Sequence, residues 1–305
     1  MNLRSVDLNL LVALDALLTE LHVTRASEKI GLSQPAMSNA LSRLRHVFKD
    51  DLLVRTPTGM QATPRALELA EPTRQVLRQI ERVFDHDTEF DPAAAQRTFT
   101  VRLSDLLGLI LLPQLLQRLG REAPGLHLDV VHLSPSKTVE GLERDEIDLA
   151  VSMGLGHSTA IQSEVLMEDR MVCATRESHP AAGGSMGLDL FLAHPHLKVS
   201  MSPTDLRFVD DVLARDGLKR RLALNVPHWL LVPHVLNRSD LISVMPQRLA
   251  SALTAAGHRL AVRDLPFASE PFAWSLYWHR RHDKNPAITW LRAKFRSIAT
   301  AMDKG

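Results

Sequence analysis

The stretch that decides the fold is residues 22–48, HVTRASEKIGLSQPAMSNALSRLRHVF. Its spacing predicts a short helix over residues 25–30, capped by Thr24 and ended by Gly31, because glycine suits the left-handed residue that follows a helix. Ser33 then caps a second helix only two residues later. Two short helices joined by a tight glycine turn are typical of a helix-turn-helix, which places its second helix in the major groove of DNA.

The second of these helices has one apolar face and one polar face. The apolar face is predicted to be buried and comprises Met37, Ala40, Leu41, Leu44 and Phe48. The polar face carries hydroxyls, amides and a guanidinium, which can hydrogen bond to base edges and phosphates. We expect base contacts from Gln34, Pro35, Ser38, Asn39 and Arg43. Contacts that position the DNA backbone are expected from Ser33, Ser42, Arg55 and Thr56.

Positive charge is concentrated around this helix pair. The whole chain is nearly neutral, with 36 Lys+Arg, 35 Asp+Glu and a formal net charge of +1. Residues 22–65 nevertheless carry seven bases and three acids, a local net charge of +4. Confined positive charge favours DNA binding, because each phosphate that it neutralises releases a counterion.

Composition excludes several other classes of protein. The single cysteine, Cys173, rules out an intramolecular disulfide framework and a cysteine-only zinc cage, and its apolar neighbours predict a buried thiol. The most apolar run, residues 106–116, is 11 residues long, whereas a membrane span needs about 20. The first residues lack the basic start and long apolar core of a signal peptide. We therefore expect a cytoplasmic protein without a membrane partner.

Helix and strand patterns extend the helix pair in both directions. Before it, leucines at near-helical spacing predict the buried face of a first helix: Leu8, Leu11, Leu14, Leu18 and Leu21. After it, residues 50–62 contain two short strand-like runs around a Pro/Gly turn and predict a two-stranded wing. Thr63 and Pro64 then open a long helix over residues 65–86, interrupted by Pro72. This helix has an apolar stripe to bury, so a second copy of the chain is its expected partner.

One motif runs through the helix pair, the wing and the start of the long helix. It comprises Ala26, Leu32-Ser33-Gln34-Pro35-Ala36-Met37-Ser38, Leu41, Leu44, Leu52-Leu53-x-Arg55 and Thr63-Pro64. It resembles the DNA-binding end of LysR-type transcriptional regulators. Further similarities point to the branch of the nodulation regulators and the salicylate- and nitroaromatic-responsive regulators: Asp7-Leu8-Asn9-Leu10-Leu11, Arg97-Thr98-Phe99, Val226-Pro227-His228 and Trp278-His279.

The resemblance implies a function as well as a fold. It implies a transcription regulator that binds double-stranded promoter DNA and senses a small molecule, with an aromatic or carboxylate compound as the expected class. It also implies a homodimer, a dimer of dimers, and RNA polymerase as a further partner.

The rest of the chain reads as an α/β structure. Residues 87–97 are polar, contain Ala and Pro, and predict a hinge. From residue 98 onward, strand-like and helix-like runs alternate in two sets, which predicts two α/β lobes with two crossovers. The expected architecture is an all-α winged helix-turn-helix domain (1–64), a linker helix for dimerisation (65–86), the hinge, and a two-lobed effector domain (98–305) that resembles periplasmic binding proteins.

Ligands of such lobes bind at the carboxyl ends of strands, near helix N-termini. This rule predicts an effector site from residues at such ends: Ser104, Asp105, Ser134, Ser136, Ser202, Thr204, His228 and Trp229. The family resemblance adds Leu107 and Asp169, because relatives with aromatic effectors use the equivalent positions in their effector sites. Each hydroxyl is also an ordinary helix cap, so the cluster supports the prediction more than its single members do.

The sequence predicts no catalytic site, no metal site and no cofactor. Ser134-Pro135-Ser136-Lys137 fits the S-x-x-K pattern of penicillin-binding enzymes, but the companion motifs are missing. The pairs His194/His196 and His279/His282 lack an obvious carboxylate or thiolate partner. Two alternatives remain: a small-molecule binding protein whose N-terminal helices only dimerise, and an enzyme with a DNA-binding head.

Overall fold

A computed structural model describes residues 7–57, 59–84, 89–200 and 208–303. The chain divides into two units, residues 1–87 and 88–305. The first unit therefore contains both the expected DNA-binding domain and the expected linker helix, while the finer boundaries at residues 64, 86 and 97 remain predictions. Within the described ranges, no helix is long and apolar enough to cross a lipid bilayer.

Three helices begin the first unit: α1 (Asn9–Glu20), α2 (Val23–Lys29) and α3 (Gln34–Phe48). The predicted cap of α2 is wrong, because Nδ1 of His22 accepts the N–H groups of Thr24 (3.2 Å) and of the next residue (3.4 Å). Gly31 lies at φ +69°, the left-handed conformation that the turn requires. Oγ of Ser33 accepts the N–H of Ala36 at 3.3 Å, which confirms Ser33 as the cap of α3.

A two-stranded wing follows α3. Its strands β1 (Leu53–Thr56) and β2 (Gly59–Ala62) pair antiparallel, as predicted. Arg45 of α3 fastens the wing to the helix, because its Nε donates to the carbonyl of Asp51 and its guanidinium NH2 group donates to that of Leu53, both at 2.8 Å.

The long helix α4 (Pro64–Phe84) closes the first unit. Oγ1 of Thr63 accepts the N–H of Ala66 at 3.1 Å and so caps this helix. Further along, Nε of Arg74 contacts Oδ1 of Asp15 in α1 at 3.1 Å. The first half of α4 is thereby held against α1.

The core of the first unit lies between α1, α3 and the wing. The predicted apolar face of α3 is buried at Met37, Leu41 and Leu44. The buried residues of α1 are Leu10, Ala13, Leu14, Ala16 and Leu17. Of the predicted face of α1, only Leu14 is buried: Leu11 and Leu18 are half-buried, and Leu8 and Leu21 are 52% and 37% exposed, so the prediction was wrong for those two. Because α1 packs against α2, α3 and α4, small alanines as well as leucines face neighbours.

The first lobe of the second unit is a mixed sheet with helices against it. Its strands are β3 (Arg97–Arg102), β4 (Leu126–Val131), β5 (Leu149–Met153), β6 (Ile161–Asp169) and β12 (Phe272–His279). They pair in the order β4-β3-β5-β12-β6, with β3 parallel to β4 and β5, and β12 antiparallel to β5 and β6. Its helices are α5 (Asp105–Glu122), α6 (Pro135–Glu143) and α11 (Pro286–Asp303).

The second lobe has the same design. Its strands are β7 (Met171–Arg176), β8 (His196–Val199), β9 (Leu222–Val226), β10 (Ile242–Pro246) and β11 (Leu260–Arg263). They pair in the order β11-β7-β10-β8-β9. Its helices are α7 (Leu188–Ala193), α8 (Phe208–Arg215), α9 (Val232–Leu236) and α10 (Gln247–Ala255), with a 3-10 turn at Trp229–Leu231.

The chain crosses between the lobes twice, as predicted. The first crossing is Arg170, between β6 and β7, and the second is residues 264–271, between β11 and β12. One buried cluster extends through both lobes, since it contains Leu111 of α5, Val172 of β7 and Leu249 of α10. Helix α5 therefore packs where the two lobes meet.

Candidate DNA-binding surface and effector cleft

The polar face of α3 is exposed. Every residue predicted to contact DNA from this helix is solvent exposed: Ser33, Gln34, Pro35, Ser38, Asn39, Ser42 and Arg43. Nε2 of Gln34 donates to Oγ of Ser38 at 3.3 Å, so two of these side chains are ordered against each other. The face is exposed because the opposite face of α3 is fixed in the core by Met37, Leu41 and Leu44.

Acidic residues lie closer to this surface than the sequence suggested. Glu20 contacts Arg25 (3.6 Å) and Lys29 (3.2 Å), and Oδ2 of Asp7 contacts Arg43 at 3.1 Å. Ion pairs this exposed are worth about 0–1 kcal/mol, so a DNA phosphate can replace the carboxylate at little cost. The effective positive charge of the surface is nevertheless smaller than the count along the sequence.

The two wing residues that are predicted to contact DNA differ in their exposure to solvent. Arg55 is exposed, whereas Thr56 is half-buried and its Oγ1 donates to the carbonyl of Gly59 at 2.8 Å. At the base of the wing, Oδ1 of Asp50 accepts from the Thr63 hydroxyl (2.6 Å) and from the backbone N–H of Leu52 (2.7 Å). These two hydrogen bonds, the Thr63 bond first, lower the pKa of Asp50. The sequence reading missed this role of Asp50, although Asx-type turns of this kind are common at aspartates.

A cavity of about 260 Å³ lies between the two lobes of the second unit. It is lined by Arg102, Ser104, His132, Leu133, Ser134, Pro135, Ser152, Met153, Gly154, Val199, Ser200, Pro227, Trp229 and Trp274. Many of these residues stand at or just after the carboxyl ends of β3, β4, β5, β8 and β9. This is the position at which open α/β lobes bind ligands.

The predicted effector residues fall into three groups. Ser104, Ser134 and Trp229 line the cavity. Asp105, Ser136 and His228 are adjacent to lining residues in the chain, and Oγ of Ser136 lies 3.4 Å from Oγ of Ser134. Ser202 and Thr204 lie outside the described residues.

Leu107 and Asp169 do not line this cavity. Leu107 is completely buried in the core beneath α5. Asp169 is 7% exposed, ends β6 and accepts three hydrogen bonds: Oδ1 from the N–H groups of Arg170 (2.8 Å) and Arg248 (3.2 Å), and Oδ2 from Nε1 of Trp274 (3.0 Å). Its carboxylate thus holds the first crossover against the start of α10. Asp169 also borders a second, larger cavity of about 930 Å³ among α5, α10 and α11.

Arg102 is a cleft residue that the sequence reading missed. It is 7% exposed, ends β3, and donates to the carbonyls of Leu133 (Nε, 3.1 Å) and Val151 (NH1, 3.0 Å). A guanidinium in the wall of a cleft favours a negatively charged ligand there. The sequence contains a signal for this role, because Arg102 is the last residue of β3 and therefore lies at the carboxyl edge of the sheet, where such lobes bind ligands.

The cysteine and two of the histidines that the sequence analysis considered are held by neighbouring groups of the protein. Cys173 is 1% exposed and burial raises the pKa of its thiol to about 12. Nε2 of His282 lies 2.7 Å from Oδ1 of Asp145, so this histidine does have the carboxylate partner that the sequence reading did not find. Burial lowers the pKa of His196 to about 4, and its Nε2 contacts the carbonyl of Phe191 at 2.8 Å.

Comparison with known proteins gives a consistent result over nearly the whole chain. Residues 8–67 match the family model "Bacterial regulatory helix-turn-helix protein, lysR family", and residues 92–299 match "LysR substrate binding domain". The HTH-type transcriptional activator NagR from Ralstonia sp is 36% identical over 301 residues, covering 97% of this chain and 98% of NagR. Nodulation protein D 2 from Sinorhizobium fredii is 34% identical over 293 residues, covering 96% of this chain and 93% of the relative.

Solved structures agree with these relatives. The crystal structure of a "probable transcriptional regulator" from Pseudomonas aeruginosa superimposes with a TM-score of 0.80 at 33% identity, covering 97% of this chain and 98% of the other. Full-length CbnR in complex with its target DNA shares the fold, with a TM-score of 0.65 at 17% identity over 97% of this chain and 99% of CbnR.

Proposed function

This chain belongs to the LysR family of bacterial regulatory helix-turn-helix proteins, and from that premise we propose how its two sites work. The protein is a ligand-responsive transcription regulator that joins a helix-turn-helix DNA-binding domain to an effector-binding domain. It is a regulator and not an enzyme in this proposal, and it acts in the cytoplasm, where promoter DNA lies.

The observation that supports the DNA-reading role is the fully exposed polar face of α3. Gln34, Pro35, Ser38, Asn39 and Arg43 contact bases in the major groove. Ser33, Ser42, Arg55 and Thr56 position the phosphate backbone, the last two from the wing. Amide side chains suit adenine and the Arg43 guanidinium suits guanine.

The same helix-turn-helix unit is paired in the proposed assembly. Helix α4 leaves Leu67 65% exposed and Val76 40% exposed. A second copy of the chain covers this apolar surface and brings two recognition helices to two half-sites, as a homodimer and then as a dimer of dimers. RNA polymerase is the partner that the assembled regulator contacts at the promoter.

The proposed effector is a small carboxylate, with an aromatic ring as the preferred body. Arg102 supplies positive charge, the hydroxyls of Ser104 and Ser134 supply hydrogen bonds, and the rings of Trp229 and Trp274 supply apolar walls. The cavity of about 260 Å³ lies just below the usual range of about 300–1,000 Å³ for drug-sized ligands, which favours a small molecule. Binding changes the closure of the lobes and thereby the spacing of the recognition helices on DNA.

Fluorescence anisotropy tests the DNA-binding role. Full-length protein is titrated into DNA from upstream of its own gene and into scrambled DNA, each at two salt concentrations. We expect Arg43→Ala to weaken specific binding by about 1–3 kcal/mol, or about 5- to 150-fold. Arg55→Ala should weaken binding to both DNAs alike and reduce the salt dependence.

The matched control is Arg144→Ala, which removes one exposed arginine from the second unit. It should bind both DNAs as the wild type does. If Arg43→Ala binds the upstream DNA as tightly as Arg144→Ala, the assignment of α3 as the reading helix is wrong. If even the wild type fails to bind any DNA at low salt, the N-terminal helices only dimerise.

A further inference from the structure

Three side chains of types that can ligate a metal ion lie close together at the mouth of the cleft. One ligand atom each from Asp105, His132 and His228 lies within 4.8 Å of the others. The two imidazole rings are 6.1 Å apart between centroids and inclined at 50°. The sequence predicted no metal site, because the histidine pairs that are close in the chain lacked a carboxylate or thiolate partner, and these three residues are far apart in the chain.

The fold explains why the three residues converge. Asp105 begins α5 directly after β3, and His132 follows β4. Strands β3 and β4 are parallel neighbours in register, with Arg102 opposite Val131, so their carboxyl ends lie side by side. His228 comes from the other lobe, two residues after β9, and is exposed to solvent.

The carboxylate of Asp105 supplies an independent sign of a ligand. Its Oδ2 accepts the backbone N–H of Leu230 at 3.0 Å, which orients the group from the second lobe. Its Oδ1 is buried and has no hydrogen-bond partner in the part of the chain that the structure describes. Burying a carboxylate oxygen without a partner is costly, and such atoms in folded proteins call for an ion or another ligand.

We propose that Asp105, His132 and His228 bind a divalent transition metal ion, with Zn²⁺ as the best fit, and that this ion bridges the two lobes. Two imidazole nitrogens and one carboxylate oxygen form a ligand set that suits zinc, and a fourth position stays open to water or to an effector. Donors around tetrahedral zinc with bonds of about 2.0–2.1 Å are about 3.3–3.5 Å apart. The three ligand atoms now lie within 4.8 Å of one another, so metal binding requires the side chains to move closer together.

The proposal has a regulatory consequence. Asp105 and His132 belong to the first lobe and His228 to the second, so the bound ion favours one degree of lobe closure. The consequence for gene control rests on the proposed function of the cleft, whereas metal binding itself does not.

The test is equilibrium competition for Zn²⁺ between a chromogenic chelator and untagged, metal-stripped, full-length protein. We expect one Zn²⁺ per chain. His132→Ala and His228→Ala should each weaken the binding at least tenfold, because each removes one of three ligands. Asp105→Asn should do the same, and its amide oxygen keeps an acceptor for the N–H of Leu230. The matched control is His127→Ala, which removes an exposed histidine from β4 and should bind zinc as the wild type does.

Circular dichroism establishes that each variant is folded before its titration is compared. The proposal is overturned if the wild type binds no zinc in competition with the chelator, or if His132→Ala and His228→Ala bind as tightly as His127→Ala. Anisotropy with promoter DNA is measured separately: loss of DNA binding with intact zinc binding contradicts the proposed function alone, and the reverse contradicts the metal site alone.

Discussion

The carboxylate of Asp169 accepts three hydrogen bonds at the lobe junction, so its removal should have a measurable cost in stability. It accepts Nε1–H of Trp274 from β12 at 3.0 Å, and two backbone N–H groups, of Arg170 at the first crossover and of Arg248 at the start of α10. Asp169→Ala would leave all three donors without this acceptor. The indole N–H is the most costly of them, because Trp274 is only 7% exposed.

The magnitude follows from these contacts. A buried donor left unsatisfied costs about 1–3 kcal/mol, which applies in full to the indole N–H. Loss of the negative charge at the N-terminus of α10 costs a further 0.3–1 kcal/mol or so. The two backbone N–H groups are only partly buried, so water can replace part of their bonding. We therefore expect Asp169→Ala to lower the free energy of unfolding of the second unit by about 2–4 kcal/mol.

Urea unfolding followed by tryptophan fluorescence measures this loss. All four tryptophans, at positions 229, 274, 278 and 290, belong to the second unit, so the signal reports that unit alone. The control is Asp264→Ala, whose side chain is 78% exposed and pairs with Arg170 at 2.6 Å; such a pair is worth about 0–1 kcal/mol. If the free energies of unfolding of Asp169→Ala and Asp264→Ala agree within about 0.5 kcal/mol, this prediction is refuted, because the buried donors would then cost nothing when left without an acceptor.

Two further predictions concern buried titratable groups. Cys173, with a pKa of about 12, should resist a thiol reagent at pH 8 and react only after unfolding; rapid labelling of native protein would contradict its burial. Burial lowers the pKa of His196 from 6.5 to about 4, so on acidification this side chain is protonated in the unfolded chain before it is protonated in the folded protein. The free energy of unfolding should therefore be unaffected by His196 above pH 6.5, be about 2 kcal/mol lower at pH 5, and reach its full loss as the pH falls through 4. Urea unfolding at pH 7.5 and pH 5 measures this loss of stability. The variant His196→Asn keeps a donor for the carbonyl of Phe191 but cannot titrate, so its stability should depend less on pH. If its pH dependence equals that of the wild type, His196 is not the group responsible.

The sequence predicted features that depend on neighbours in the chain. The cap at Ser33, the glycine turn at Gly31 and the wing all follow from local backbone chemistry, and the structure has them. The buried face of α1 could not be predicted in the same way. Which side of that helix is buried depends on three packing partners, and one of them, α4, begins more than 40 residues later.

In the cleft, too, the sequence predicted some residues and not others. The rule that ligands bind at the carboxyl ends of strands predicted Ser104, Ser134 and Trp229, which line the cavity. It also placed Asp105 and His228 in the same predicted site, but it did not include His132, which follows β4 in the first lobe. Leu107 shows the limit of carrying over positions from relatives, since its side chain points into the core of this chain.

Two of the carboxylates that connect the lobes, those of Asp169 and Asp105, lie at different ends of the junction. Both belong to the first lobe and accept backbone N–H groups of the second lobe: Asp169, at the first crossover, accepts that of Arg248, and Asp105, at the mouth of the cleft, accepts that of Leu230. At the mouth, Leu230 is exposed, so water can replace that hydrogen bond when the cleft opens. At the first crossover, Asp169 also holds the buried indole of Trp274, which lines the cavity between the lobes. Opening should therefore break the bond at Asp105 first and turn about Asp169, and a ligand that presses on Trp274 acts directly on that pivot.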